Sequence, residues 1–347
     1  APFLGSNMLL ALTNVAANAM FGSLSGSGIA AATAVGGVMG PLEKEEGYDE
    51  KFSAACNIAT APVGQLIPPT NAFIVYSAAS GGAAVATLFM AGWIPGLLWA
   101  FLCMIVAFIY GKKHGYVVKR EKMTAAVVGK TILDSIPSLL LIVIIIGGIL
   151  SGYFTPTEAS GVAVIYAFIL SVFVYKSIKL SEIKDILVNA AVTTTIVMLI
   201  IGASSVLSFV LSFTGLPQAI SNLMLGVSDN KIVILLMINV ILLIVGTFMD
   251  MAPALLIFTP IFLPVITAIG MDPIQFGVMM VMNLSIGTIT PPVGSVLFVG
   301  CSISHLQVEE VIKKLIPFFV AILVALLFVT FVPQLSMWLP SVFGLLG

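Results

Sequence analysis

The chain has 347 residues, 60% of them hydrophobic and only 8% charged, with a formal net charge of −1. A typical soluble domain carries about 25% charged residues; this chain cannot cover a water-facing surface, whereas a bilayer solvates apolar side chains directly. A soluble fold is therefore excluded in favour of an all-α polytopic membrane protein. No strand-length alternation of apolar and polar residues supports a transmembrane barrel.

In chain order, residues 3–21 predict an apolar helix, followed by FGSLSGSGIAAATAVGGVMGPL (21–42) and the charged segment EKEEGYDEK (43–51). The stretch 52–81 is long enough to cross a membrane but contains Pro68–Pro69, and a span at 86–110 closes a first repeat, 1–110. A central scaffold, 111–229, holds spans at 131–150, 157–175 and 190–212, with an interfacial amphipathic turn within 176–189. Six of the fourteen basic residues (Lys112, Lys113, Lys119, Arg120, Lys122, Lys130) fall in 112–130, which places that loop in the cytoplasm by the basic-residue bias. Glu121 interrupts the run and no aromatics interleave it, which argues against a nucleic-acid patch. Asp134 and Glu158 read as acids near helix starts, where they suit the dipole.

A second repeat, 230–332, follows the order of the first. It has a helix at 230–246, then GTFMDMAPALLIFTPIFLPVITAIG (246–270) with three internal prolines, a broken helix at 273–303 around Pro291–Pro292, and a span at 311–332; 333–347 is a tail. At an offset of 223–224 residues Gly22 falls opposite Gly246, Gly64 opposite Gly287, and each Pro-Pro opposite the other. Duplicated halves of this kind are a hallmark of secondary transporters. If every apolar segment crosses, the two re-entrant candidates lie on the same side. The favoured reading is an inverted repeat, which requires that one segment not cross, and 190–226 is the candidate; the alternative is parallel repeats.

Proline lacks an amide hydrogen and clashes with the preceding turn, so Pro-Pro stops a helix. Within a membrane such a break survives only where protein, water or a ligand satisfies the freed backbone. Carbonyls ending one half-helix suit a cation, and amides starting the next suit a carboxylate. The breaks therefore read as an ion and substrate site, with Thr70, Asn71 and Ser295 as candidate substrate contacts and Thr288 and Thr290 beside them. The alternative is a plain kink. In SLSGSG (23–28), Ser25 and Ser27 offer neutral oxygens for a hard cation, or simply small-residue packing. Asn14 is either a further oxygen donor or a partner in an interhelical hydrogen bond. Asp250, without a basic neighbour in sequence, binds sodium, carries a proton, or caps the following helix. Cys56, Cys103 and Cys301 show no pairing or metal spacing. Metalloprotease, Walker and nucleophile-elbow motifs are absent from the sequence, so the chain does not read as an enzyme and an ion gradient is the expected energy source. It starts APFLGSN, with no visible signal peptide.

Three stretches carry a family likeness: GPLEKEEGYDEKFSAA (40–55) with GQLIPPTNAFIVY (64–76), VGTFMDMAPALLIFTPIFLPV (245–265), and FGVMMVMNLSIGTITPPVGSVLFVGC (276–301). Together they resemble the large M subunit of tripartite ATP-independent periplasmic (TRAP) transporters. The resemblance implies an elevator-type transporter of the bacterial inner membrane, with re-entrant hairpins at about 22–42 and 246–270. It implies two or more coupling Na+ ions, one near Ser25, Ser27, Gly64 and Pro68 and another near Gly246, Asp250, Gly287 and Thr290. Expected partners are a small membrane Q subunit, separate or fused, and a periplasmic substrate-binding protein; no nucleic acid or organic cofactor is implied. Further N-terminal helices are expected ahead of residue 1. The context LIPPTNAFIVYSAASGG (66–82) points to sialic acid as cargo, with dicarboxylates or other sugar acids as alternatives. The rival functions are a standalone Na+/dicarboxylate symporter and a channel or membrane scaffold.

Overall fold

A computed structural model describes residues 9–114, 125–228 and 230–346, and every regular element among them is helical. Lys119, Arg120, Glu121 and Lys122 lie outside the described residues. The chain divides into two compact units, residues 1–119 with 207–347, and residues 120–206.

In the first unit, α1 (Leu9–Ser25) turns through Gly26 and Ser27 into α2 (Gly28–Glu45), and the two helices pack together. Gly26 has φ +62, a conformation that glycine adopts without steric cost. The predicted hairpin at 22–42 is thus displaced: its tip lies near its beginning, and its arms are α1 and α2. The glycines and serines of 21–28 hide the turn because they suit helix packing and chain reversal equally well. Next come α3 (Glu50–Thr60), a 3-10 turn (Ala61–Gln65), the Pro68–Pro69 break and α4 (Asn71–Ala79), then α5 (Val85–His114).

The same order recurs in α10 (Lys231–Phe248), α11 (Met251–Ala268), α12 (Pro273–Gly287), α13 (Ser295–Ile303) and α14 (Val308–Phe331), with α9 (Leu216–Val227) before them and α15 (Gln334–Val342) after. Here too the expected hairpin moves. Residues 246–270 form no hairpin of their own, because 251–268 is one helix and the break lies at Met249–Asp250. Pro253 occupies the first turn, where its missing N–H costs nothing, and Pro260 and Pro264 stay inside α11. With 12 residues, α9 is about 18 Å long, too short to cross.

The halves interlock, since α2 packs on α13 and α11 packs on α4. Along α12 the residues from Phe276 to Gly287 are all buried, polar and apolar alike, as expected of a helix surrounded by others. Tyr76 Oη donates to the Pro273 carbonyl at 2.6 Å, and Trp99 Nε1 donates to Ala59 O at 2.9 Å. The free thiols Cys56, Cys103 and Cys301 are buried.

The second unit holds α6 (Ala125–Leu150), α7 (Pro156–Ile169) and most of α8 (Ile183–Phe213). Thr155 and Glu158 form a capping box at the start of α7, whereas Asp134 lies well inside α6 rather than near its start. Six helices among the described residues are long and apolar enough to cross a membrane: α5, α7 with its extension to Val174, α8, α10, α11 and α14.

Candidate functional site: two glycine crossings

The matched glycines of the two repeats are in contact. A methyl group on Gly64 would overlap the backbone of Gly22, and one on Gly287 would overlap the backbone of Gly246. In each half a hairpin arm (α1 or α10) therefore crosses the end of a broken half-helix backbone to backbone. Without side chains between them, carbonyls at such a crossing are open to a small cation.

At the first crossing the free groups are those a cation requires. Among the described residues, no hydrogen bond ends on the carbonyls of Gly64 to Pro69. The hairpin tip lies over them, since a methyl on Gly26 would sit 3.2 Å from Pro69 O. Gly28 is similarly tight, since a methyl on it would sit 3.1 Å from a Val296 methyl and 3.4 Å from Pro62 Cα. The tip is thus wedged between the first break and the start of α13, which brings Ser25, Ser27, Gly64, Pro68, Thr70 and Ser295 into one region. Ser27 caps α2 by accepting from Ala30 N at 3.3 Å, and Ser25 Oγ accepts from Ser27 N at 3.3 Å. Thr70 is buried and caps α4, accepting from Ala72 N at 3.2 Å. Its hydroxyl hydrogen remains to donate to an anion, and Asn71 beside it is exposed.

The second crossing is more self-satisfied. Thr288 O accepts from Val296 N at 2.9 Å and Leu297 N at 3.2 Å, and Thr290 Oγ1 donates to Ile286 O at 2.7 Å. Thr290 therefore spends its hydroxyl hydrogen on the last turn of α12. Asp250 is exposed at the N-cap position of α11 and makes no side-chain capping bond. Of the three readings of Asp250, the side-chain cap is therefore not formed.

Several polar residues that sequence reasoning passed over lie at these crossings. Gln65 Oε1, Asn18 Oδ1 and Asn283 Oδ1 are buried without a hydrogen-bond partner. Asn18 and Asn283 each stand four residues before a crossing glycine (Gly22 and Gly287), and each ties two helices together. Asn18 Nδ2 donates to Asn57 Oδ1 at 3.0 Å, and Asn283 Nδ2 donates to Asn239 Oδ1 at 2.7 Å. A buried acceptor left unpaired costs about 1–3 kcal/mol, so such atoms point to water or an ion. An all-oxygen set of amides, hydroxyls and carbonyls suits a hard cation. The signal available in the sequence was an asparagine four residues before a crossing glycine, once on α1 and once on α12, although not at equivalent positions of the two repeats. Asn14, by contrast, is an interhelical partner: its amide donates to Glu43 at 3.2 and 3.3 Å.

Comparison with known proteins gives one consistent result. Residues 6–335 match the family described as the DctM component of the tripartite ATP-independent periplasmic transporter. The chain is 51% identical over 335 residues to the uncharacterized protein YgiK of Salmonella typhimurium, covering 96% of this chain and 77% of that one. It is 37% identical to the isethionate TRAP transporter permease protein DctMQ of Oleidesulfovibrio alaskensis, covering 95% of this chain and 52% of the relative. With the sialic acid TRAP transporter large permease protein SiaM of Vibrio cholerae it shares 35% identity, over 95% of this chain and 77% of the other.

Proposed function

The chain belongs to the DctM family of TRAP transporter large permeases, multi-pass proteins of the bacterial inner membrane, and from that premise we propose that it couples sodium entry to the uptake of an organic acid anion. The observation that carries the sodium reading is the first glycine crossing, where unpaired carbonyls from Gly64 to Pro69 meet the orphaned Gln65 oxygen. A cation there neutralises the dipole ends that converge on the break and fixes the tip formed by Ser25 to Ser27. The matched crossing at Gly246 and Gly287 supplies a second cation position.

The anion then binds beside the filled cation sites. Its acidic group meets the Thr70 hydroxyl, the start of α4 and the start of α13 at Ser295. Arg120 is the sole arginine and lies in the basic loop, so recognition rests on helix N-termini, hydroxyls and bound sodium. Movement of the loaded unit against a scaffold, in the elevator manner, completes the cycle, because a partly loaded site retains unpaired backbone that opposes passage through apolar surroundings. Cargo reaches the permease on a periplasmic binding protein, and a small membrane subunit accompanies it. In support, one relative carries the combined designation DctMQ.

Sialic acid is the cargo favoured by the 66–82 context. Isethionate is the comparison, since the two relatives named for these cargoes are almost equally similar to the chain. The test is uptake of radiolabelled sialic acid and isethionate into proteoliposomes holding the full-length permease and its small membrane subunit. Binding protein and an inward sodium gradient are added together and separately. Accumulation only when both are present is the expected result. Uptake that ignores sodium would overturn the coupling, and uptake without binding protein would favour a standalone symporter.

A further inference from the structure

The segment 43–51 carries five acids, four of which (Glu45, Glu46, Asp49, Glu50) are partly or largely exposed, whereas Glu43 is completely buried at the end of α2. Its hydrogen-bond partners are neutral. Asn14 on α1 donates to both carboxylate oxygens at 3.2 and 3.3 Å, and Ser53 on α3 makes a short hydrogen bond to Oε2. No described salt bridge reaches Glu43. A carboxylate enclosed without a cation is unfavourable in its charged form, and the simplest relief is a proton.

Two further features give this carboxyl a route and a connection. Ser53 also lines a cavity of about 260 Å³ together with Gly40, Lys44, Glu50, Ser304 and His305. Lys44 and Glu50 are themselves exposed, so this cavity meets solvent. On the other side Asn18 Nδ2 donates to Asn14 Oδ1 at 2.9 Å, to Asn57 Oδ1 at 3.0 Å and to Thr60 Oγ1 at 3.0 Å. Asn57 in turn donates to Ala32 O at 3.0 Å, back on α2. The chain of amides thus runs from Glu43 to one helical turn before Gly22.

We propose that Glu43 is a proton-binding site of the permease, reached from solvent through Ser53 and joined through Asn14 and Asn18 to the helices that form the first glycine crossing. A proton arriving at the Ser53 oxygen from water in the cavity releases the Ser53 hydrogen to Glu43 Oε2. The carboxylate becomes a carboxylic acid and the serine hydroxyl is restored, so no other reactant is needed. The titratable groups around Glu43 are few. Among the described residues, α3 contributes the Cys56 thiol, the chain just beyond α2 contributes the buried Tyr48, whose amide donates to the Glu43 carbonyl at 2.9 Å, and the cavity wall contributes Lys44, Glu50 and His305. Glu43 lies at the charged end of α2, outside the apolar spans, and burial lifts it to about 7 against the opposing bonds from Ser53 and Asn14. Its charge therefore changes within the physiological range.

The connection to the crossing rests on the sodium reading; the proton site does not. The test is infrared difference spectroscopy of the full-length permease with its small membrane subunit, titrated from acid to alkaline pH with and without sodium. The carbonyl stretch of a protonated carboxyl should disappear with a midpoint near neutrality. That band should be missing in Glu43→Gln, and its midpoint should rise in Ser53→Ala, which loses a lowering bond. A neutral-range band that persists in Glu43→Gln, or none in the wild type, would overturn the proposal. Sodium should lower the midpoint, because a cation at the crossing, joined to Glu43 through Asn18 and Asn14, favours the charged form and linkage is reciprocal. An unmoved midpoint in vesicles that show sodium-driven uptake would sink the connection alone. Loss of sodium dependence from uptake itself would instead count against the functional reading, and the infrared band would still decide whether Glu43 binds the proton.

Discussion

Gln65 gives the sharpest residue-scale test, because its buried oxygen is either an ion donor or an uncompensated cost. Replacing it with leucine removes the oxygen and keeps much of the volume. If sodium sits there, the change forfeits roughly 1–3 kcal/mol of binding, a rise of about 5- to 150-fold in half-saturating sodium for uptake. A sodium titration that does not move, with a higher melting temperature, would mean the oxygen was only a burden. The glycines are a second test. Gly64→Ala drives a methyl into Gly22 and should cost at least about 1–3 kcal/mol, as overpacking does. Gly37→Ala, with nothing within 4 Å, should stabilise α2 by about 0.5–1 kcal/mol. Thermal unfolding of the two variants side by side checks both; equal melting temperatures would refute the crossing as a tight contact.

At the scale of elements, a polar clamp fixes the start of α3 to α5 and α14. Lys314 Nζ lies 2.8 Å from Asp49 Oδ2 and donates to Tyr110 Oη at 2.7 Å, while Tyr110 donates to Asp49 at 3.0 Å and stacks on Phe52 at 3.7 Å. Partial burial raises the Asp49 pKa, but the bonds from Lys314 and Tyr110 outweigh it and hold the carboxyl below its usual range. A depressed acid contributes stability that is complete above its unfolded value of about 3.9 and lost as pH falls through the folded value. Melting temperature should therefore drop below about pH 4, and Asp49→Asn should melt lower at pH 7 with a shallower acid loss. An acid limb unchanged in that variant would assign the loss to other groups. The broken helices around the two Pro-Pro pairs were legible in sequence because proline removes a donor wherever it stands. The first hairpin tip was not, since its Gly–Ser run fits either a turn or a packed helix. Nor was Glu43 separable from its four acidic neighbours, because burial depends on what α1 and α3 bring to α2. The likeness to TRAP permeases was readable from ordered motifs, but the orphaned oxygens of Gln65, Asn18 and Asn283 became visible only once their neighbours were placed.

The whole molecule repeats one device in each half, and the repeats are not equal. Carbonyls at the first break are unpaired, whereas Thr288 at the second already accepts two amides. Interlocking of α2 with α13 and of α11 with α4 means that ordering one hairpin changes the packing partner of the other half. The two proposed cation positions, if joined in this way, should fill cooperatively, with a Hill coefficient for sodium above about 1 and bounded by the number of sites. Disabling either position separately tests this. Gln65→Leu should remove the better-formed site, weaken sodium activation and bring the coefficient towards about 1. Asn283→Leu should lower the coefficient as well, but with a smaller rise in half-saturating sodium, because the second break relies less on the ion for satisfaction. A coefficient near unity in the wild type, or one that neither variant changes, would show that the crossings do not act as a coupled pair, and the symmetry of the fold would then reflect its ancestry rather than its ion stoichiometry.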